Sequence, residues 1–195
     1  SLIMIKIKNL TKAEALEKIS KSQQKIKIKI PHFIYFSKER FLKNPEKYLS
    51  KIKKEFFKKK IILRSSSKKE DLLSGSNAGK YKSFSNLHPG DKKNIKVKIY
   101  EILKDFSGKK DQVLVQEFLL NPDIAGVIFT RSYSNNAPYY IVNFDRSKKT
   151  NLITSGKNNP TMRTMIIYKN KLAKTNFWSK YLLKIKKIEK LMNND

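Results

Sequence analysis

The stretch Ile61-Ile62-Leu63-Arg64-Ser65-Ser66-Ser67 places a charge and three hydroxyl groups directly after an apolar run. The three apolar residues predict a short buried strand. A guanidinium at the end of a strand, followed by hydroxyl groups, can bind phosphate oxygens through charge-assisted hydrogen bonds. On spacing alone, an exposed turn with a surface arginine is an equally good interpretation.

Upstream of this strand, Thr11-Lys12-Ala13-Glu14 predicts the start of a helix. Thr11 and Glu14 have the spacing of a capping box, in which each side chain satisfies the other's unpaired backbone N–H. Lys12 then lies in the first turn, at the positive end of the helix dipole. A lysine is unfavourable there unless an anion is nearby, so the sequence predicts an anion beside Lys12.

Periodicity and capping residues predict the other elements. Residues 25–30 alternate strictly between lysine and isoleucine and predict a strand. Residues 65–89 lack periodicity and predict a long functional loop. The runs that predict strands of one antiparallel sheet are 113–118, 126–130, 139–144 and, as a fourth, 164–168. We therefore expect an α+β fold with subdomains at 1–108 and 109–195.

Composition limits the class of protein. The 195 residues include no cysteine, which excludes disulfides and thiolate metal sites, and they carry a net charge of +28. No apolar run approaches the roughly 18 residues of a membrane span, so we expect a cytoplasmic protein without a membrane partner. The charge favours nucleic acid, but it comes mostly from lysine and not from arginine, whose planar fork suits phosphates and base edges. A basic nucleic-acid-binding module without enzymatic activity is therefore the alternative hypothesis, and nucleotides are the partner we expect first.

Three blocks of this sequence occur in the order found in the ATP-binding domain of the phosphoenolpyruvate synthase and pyruvate phosphate dikinase family. Residues 62–87 are similar to the family pattern V-R-S-S-A-x-x-E-D-L…S-F-A-G…T-x-L-N-V. Residues 113–116 resemble its V-V-V-Q strand, and residues 125–131 resemble its A-G-V-L-F-T-R. The resemblance implies an ATP-grasp nucleotide-binding domain of two subdomains, with antiparallel sheets flanked by helices, that is incomplete at the C-terminus.

The resemblance also implies roles for individual residues, with ATP and Mg²⁺ as ligands. The positions that correspond to the phosphate-binding groups are Lys12, Arg64, Ser65, Ser66 and Gly79. The positions that correspond to the adenine hinge are Gln116, Glu117 and Phe118. Thr130 and Arg131 would lie near the site. Asn143 and Asp145 are the oxygen donors that remain as candidate magnesium ligands.

The phosphate acceptor is expected to lie outside this chain. The family passes phosphate from ATP to a histidine on a separate domain, and then to a small acceptor such as pyruvate or, in outlying members, glutamine. His32 and His88 are the only histidines, and neither lies in a phosphohistidine motif, so we expect both to have structural roles. Asn9-Leu10-Thr11 also replaces the family's glycine-rich loop before Lys12. The sequence thus predicts the ATP-binding part of a phosphotransferase, a kinase of an outlying subfamily. It would be inactive alone, without its phosphohistidine and acceptor domains.

Overall fold

The structure is a computed structural model, which describes residues 10–68, 82–132, 134–147, 161–171 and 177–193. The helices are α1 (Lys12–Lys21), α2 (Gln23–Ile26), α3 (Lys38–Lys43), α4 (Pro45–Glu55), α5 (Lys92–Lys104) and α6 (Ser179–Asn193), with a 3₁₀ turn at Lys169–Lys171. The strands are β1 (Phe33–Ser37), β2 (Ile61–Ser66), β3 (Ser83–Leu87), β4 (Gln112–Glu117), β5 (Ala125–Phe129), β6 (Tyr139–Asp145) and β7 (Arg163–Tyr168).

The strands form two antiparallel sheets, in the orders β1-β4-β2-β3 and β5-β6-β7. The predicted α+β class with antiparallel sheets and helices is therefore confirmed. The expectation that residues 113–118 share a sheet with 126–130 and 139–144 is wrong, because β4 pairs with β1 and β2. Strand β4 lies between β1 and β2. Its residues 113–116 are all buried, so both of its faces are covered.

Contacts divide the chain into two compact units. The first unit contains Lys6–Glu17 and Ile30–Leu120. The second unit contains Ser1–Ile5, Lys18–Lys29 and Asn121–Asp195. The boundary between the two units lies after Leu120, whereas the sequence predicted a subdomain boundary after residue 108. Strand β4 follows residue 108, but it pairs within the first sheet.

Helix caps fix the two helices that cover the core of the first unit. The Asn44 side chain accepts a hydrogen bond from Lys47 N at 3.1 Å and caps α4, with Pro45 at the first helical position. The Asp91 side chain accepts one from Asn94 N at 3.0 Å and caps α5. The largest fully buried side chains of this core are Phe36, Phe41, Leu49, Ile52, Phe56, Ile61, Leu63, Ile95, Ile99 and Ile102.

The strand predicted at 25–30 is wrong. The chain instead forms the short helix α2, which ends at Lys27 in the left-handed conformation (φ 61°). In this segment only Ile26 is buried, whereas Ile28 and Ile30 are partly exposed. The alternation of lysine and isoleucine therefore did not mark one buried strand face. The predicted loop 65–89 likewise contains β3.

In the second unit, α6 packs on one face of the second sheet. Its inner side chains, among them Leu182, Ile185 and Ile188, are buried together with Tyr140 and Val142 of β6. Among the described residues, no helix has both the length and the apolar character that crossing a bilayer requires.

Candidate functional site

One face of the first sheet carries several polar side chains beside apolar ones. Antiparallel partners that lie directly opposite one another share a face, and Ser66 lies opposite Gln112 in the register of β2 and β4. Alternation along each strand adds Arg64 and Gln116 to the same face. Because Tyr35 of β1 lies opposite Leu114, it also belongs there. We call this surface, formed by Tyr35, Arg64, Ser66, Gln112 and Gln116, the polar face; the other face of the sheet packs on the core.

Helix α1 begins with the predicted capping box. The Thr11 backbone N–H donates to Glu14 Oε2 at 2.8 Å, and the Glu14 N–H donates to Thr11 Oγ1 at 3.2 Å. This reciprocal pair satisfies two of the N–H groups that a helix start leaves without an intrahelical partner. The prediction of a capped helix start at Thr11 is confirmed.

A buried hydrogen bond joins this helix start to the polar face. The Ala13 N–H donates to Ser66 Oγ at 2.9 Å. Lys12 precedes Ala13 in the first turn, and Arg64 lies two residues before Ser66 on the same face of β2. The structure therefore brings together two segments that are about fifty residues apart and that the sequence had assigned to one phosphate site.

Gln112 extends this network and was missed by the sequence reasoning. Its Oε1 accepts from the Thr11 hydroxyl at 2.7 Å, and its Nε2 donates to Glu14 Oε1 at 3.3 Å. The available signal was the repeat Gln112-Val113-Leu114-Val115-Gln116, which places a polar side chain at both ends of one strand face.

Tyr35 and Glu17 form a second polar pair at α1. The Tyr35 hydroxyl donates to Glu17 Oε2 at 2.6 Å. This hydrogen bond, followed by burial and by the carboxylate charge itself, raises the pKa of Tyr35 to about 12. The phenol therefore stays neutral and keeps donating at ordinary pH.

The first turn of α1, in which Lys12 lies, also contains the carboxylate of Glu14. This carboxylate accepts at the first turn of α1, where the helix dipole favours negative charge. The N–H groups of Thr11, Ala13 and Glu14 all donate within the protein. A phosphate at this place would therefore meet side chains, and not these backbone amides.

The hydroxyl groups of Ser65, Ser66 and Ser67 point into the protein, because these residues are 3%, 0% and 2% exposed. Ser67 Oγ donates to Asp111 Oδ1 at 2.7 Å. The interpretation of an exposed turn after Leu63 is wrong, since β2 continues to Ser66. Because they are buried, these hydroxyl groups form hydrogen bonds inside the protein and do not lie at its surface. Arg64, which is partly exposed, is the group of the motif best able to reach a ligand.

The predicted hinge lies at the end of β4. Gln116 is buried on the polar face. The N–H of Glu117 donates to His32 O at 2.9 Å, and the N–H of Phe118 donates to Lys60 O at 2.8 Å. These two amides are thus engaged within the protein, so an adenine at this edge would have to displace one of these bonds or use other groups.

Four of the candidates lie in the second unit, which we describe by itself. Thr130 and Arg131 follow β5, and the Arg131 guanidinium donates to Asn136 O at 3.3 Å across a turn. Asn143 and Asp145 lie two residues apart on one face of β6.

The oxygens of Asn143 and Asp145 fit a magnesium ion poorly. Ser147 donates to both carboxylate oxygens of Asp145, from its N–H at 2.8 Å and from its hydroxyl at 2.7 Å. The Thr164 hydroxyl donates to Asn143 Oδ1 at 2.8 Å. The residues that the structure describes include no group of three histidine or acidic side chains able to hold a metal ion. Magnesium ligation by Asn143 and Asp145 stays a prediction, and no step below depends on it.

The remaining residues singled out from the sequence are Gly79 and the two histidines. Gly79 lies outside the described residues. His32 Nε2 lies 3.0 Å from Glu55 Oε2 and its ring packs against Phe56, while His88 Nδ1 accepts from Gly90 N at 3.1 Å within a turn. Both histidines thus have local contacts that account for their presence.

No protein-family model matches this chain, and no curated protein matches it significantly.

The buried bond from Ala13 to Ser66 gives a direct test of the site's construction. In Ser66→Ala the Ala13 N–H keeps its burial but loses its acceptor, so we expect a loss of about 1–2 kcal/mol in the free energy of unfolding. Amide hydrogen exchange at Ala13 should accelerate correspondingly. Ser83→Ala, an exposed serine on β3, is the matched control. Unchanged protection of Ala13 in Ser66→Ala would mean that this bond does not hold α1 on the sheet.

Proposed function

We propose that this chain is the ATP-binding part of a phosphotransferase similar to phosphoenolpyruvate synthase and pyruvate phosphate dikinase, with an ATP-grasp fold. The observation that carries the proposal is the hydrogen bond between Ala13 N and Ser66 Oγ. It holds the helix that begins at Lys12 against the strand that carries Arg64. Lys12 and Arg64, which resemble the family's phosphate-binding groups, thus lie on the two segments of the first unit that this hydrogen bond joins.

The chemistry of this surface suits a polyphosphate more than a neutral ligand. A guanidinium and an ammonium form charge-assisted hydrogen bonds with phosphate oxygens, and Arg64 can bind two oxygens at once. The surrounding polar face is fixed by Gln112, Glu14 and Thr11, which bond to one another and so hold the site in one arrangement. Binding would therefore require little reorganisation of the protein.

In this proposal the chain positions ATP, while another part of the parent protein receives the phosphate. Phosphoryl transfer is accelerated mainly by positioning and by charge stabilisation, which Lys12 and Arg64 would supply at the phosphates. A histidine on a separate domain would take the phosphoryl group and pass it to a small acceptor, pyruvate or a molecule such as glutamine.

Calorimetric titration of the 195-residue chain with ATP in magnesium buffer tests the proposal. We expect binding, and we expect Arg64→Ala and Lys12→Ala each to weaken it about tenfold, since each removes a charge-assisted contact worth about 1.5 kcal/mol. Lys53→Ala, which removes an exposed lysine of α4, a helix that covers the core of the first unit, is the matched control for net charge and should bind as the wild type does.

Equal affinities in all four proteins would remove Lys12 and Arg64 from the site. A complete absence of ATP binding in the folded wild-type chain would contradict the proposal itself. Competition by inorganic triphosphate would show whether the phosphates, and not the base, provide the recognition.

A further inference from the structure

The second unit carries an exposed cluster of aromatic rings and cations that the proposed ATP site does not use. Phe177 and Trp178 pack edge to face with their ring centroids 5.4 Å apart, and Tyr181 lies 5.5 Å from Phe177 and 5.8 Å from Trp178. Arg146 and Lys180 lie over these rings. We call Phe177, Trp178, Tyr181, Arg146 and Lys180 the aromatic surface.

Part of this cluster is needed for packing, and part is not. Trp178 packs against the buried Phe144 with a centroid separation of 4.7 Å and so anchors the start of α6 to the second sheet. Phe177, in contrast, leaves 47% of its surface exposed. Phe177 therefore lies at the outer side of a cluster that Trp178 anchors, and it offers an exposed ring to a ligand.

The cations at this surface are themselves exposed. The Arg146 guanidinium carbon lies 5.8 Å from the centre of the Phe177 ring, and Lys180 Nζ lies 5.2 Å from it. Contacts of this kind at exposed sites are worth only about 0.5–1 kcal/mol, so these side chains can turn towards a ligand's negative charges at small cost.

The helix behind the aromatic surface adds positive charge. The lysines of α6 are Lys180, Lys184, Lys186, Lys187 and Lys190. Its one carboxylate, Glu189, is held by the Tyr140 hydroxyl and by Lys169. The local field is therefore strongly positive, in keeping with the net charge of +28 on the whole chain.

Rings that can stack, beside cations that can reach phosphates, form the usual site for single-stranded nucleic acid. Such sites read no base edges, because every base has a stacking face, and so they do not need many arginines. The shortage of arginine in the sequence counts against base-edge recognition in a duplex, but not against this mode of binding. An anionic lipid surface fits less well, since the aromatic groups are gathered beside two cations and not spread along the helix.

We propose that the aromatic surface binds single-stranded nucleic acid, with a base stacked on Phe177 and the flanking phosphates contacted by Arg146 and Lys180. This inference does not rest on the proposed ATP site, which uses residues of the first unit.

Trp178 is the only tryptophan and lies beside Phe177, so its fluorescence reports binding at this surface directly. Titration of the full chain with a short oligothymidylate should quench this fluorescence to saturation. Phe177→Leu keeps an apolar side chain but removes the stacking ring, and should weaken oligothymidylate binding about tenfold. Phe177→Tyr, which restores a ring, should bind within about twofold of the wild type.

The matched control is Phe57, a ring 66% exposed in the first unit beside a surface hollow of about 430 Å³ lined by Lys53, Lys54 and Lys92. Phe57→Leu should leave oligothymidylate affinity unchanged. Arg146→Gln and Lys180→Gln should each make the dependence of log affinity on log salt shallower by about 0.7, the value for one phosphate contact in a single strand.

Three outcomes would overturn the inference. The first is equal oligothymidylate affinity in Phe177→Leu and the wild type. The second is an equal loss of heparin binding in Phe177→Leu, because heparin has no bases to stack. The third is a blue shift of Trp178 fluorescence with phosphatidylserine vesicles and no response to oligothymidylate, which would assign the surface to membranes. Since ATP binding is measured separately in the Arg64 and Lys12 variants, failure here and failure of the proposed function are distinguishable.

Discussion

Replacement of Gly126 by alanine should destabilise the second unit by about 3 kcal/mol. A Cβ built at residue 126 would lie 2.8 Å from the backbone oxygen of Asn143 and 3.2 Å from Phe144 Cβ. The first of these atoms belongs to the paired strand β6, so it cannot move without disturbing the ladder between β5 and β6. The glycine in Ala125-Gly126-Val127 is thus explained by the close approach of two strands.

Urea unfolding, followed by circular dichroism and by Trp178 fluorescence, measures this effect. The matched control is Gly108→Ala, because a Cβ at residue 108 would meet its nearest atom, Asp111 Oδ2, at an ordinary 3.7 Å. We expect that variant to lie within about 0.5 kcal/mol of the wild type. Equal stabilities of the two variants would mean that the strands can separate to admit a methyl group.

This glycine shows what the sequence could and could not predict. Local signals were sufficient where a short segment determines its own structure: the capping box of Thr11 and Glu14 forms as predicted. The need for glycine at 126, by contrast, comes from the partner strand β6. Nothing near residue 126 in the sequence indicates how closely that strand approaches.

The partners of β4 could not be predicted for the same reason. Its residues predict a buried strand, but which strands flank it depends on contacts with β1 and β2, and those strands lie far away in the sequence. The subdomain assignment made from the sequence followed chain order and so grouped β4 with the strands that come next.

The sequence singled out the two cations of the candidate site but not the hydrogen-bond network beside them. In the sequence, Lys12 stands out because it lies in the first turn of a predicted helix, and Arg64 because it directly follows the apolar run Ile61-Ile62-Leu63. Gln112 does not stand out, since its partners Thr11 and Glu14 lie about a hundred residues away. That network also changes the meaning of the serines after Arg64: Ser66 holds α1 in place, and its hydroxyl is therefore committed before any ligand arrives.

A partly buried triad in the second unit gives the second large expected effect. The Tyr140 hydroxyl donates to Glu189 Oε2 at 2.5 Å, and Lys169 pairs with the other oxygen of the same carboxylate. Lys169 Nζ also lies 4.8 Å from the centre of the Tyr140 ring. Tyr140 itself is only 1% exposed, whereas the side chains of Lys169 and Glu189 are 22% and 20% exposed, so the triad lies at the edge of this core.

Glu189→Ala should therefore lower the free energy of unfolding by about 2 kcal/mol, because it leaves the Tyr140 hydroxyl and Lys169 without their shared acceptor. Tyr140→Phe removes the hydroxyl together with its need for a partner, and should cost about 1 kcal/mol. In the double variant the two losses should not add, since the hydroxyl that Glu189→Ala strands is no longer present. Tyr139→Phe, a change on the outer face of β6, is the matched control. Additive losses in this cycle would show that the two side chains act independently.

The same triad predicts how stability depends on pH. Burial, and then the hydrogen bond to Glu189, raise the pKa of Tyr140 above its ordinary value of about 10. A raised pKa means that the neutral phenol is favoured in the folded state, so its contribution is fully present below pH 10 and is lost as the pH rises through the folded-state value. Between these pH values the unfolded chain releases this proton and the folded chain does not. The stability of the wild type should therefore fall more steeply above pH 10 than that of Tyr140→Phe, in urea unfolding at a series of alkaline pH values. Parallel curves for the two proteins would mean that the pKa of Tyr140 is the same in the folded and the unfolded chain, and would place the Tyr140 hydroxyl in contact with solvent.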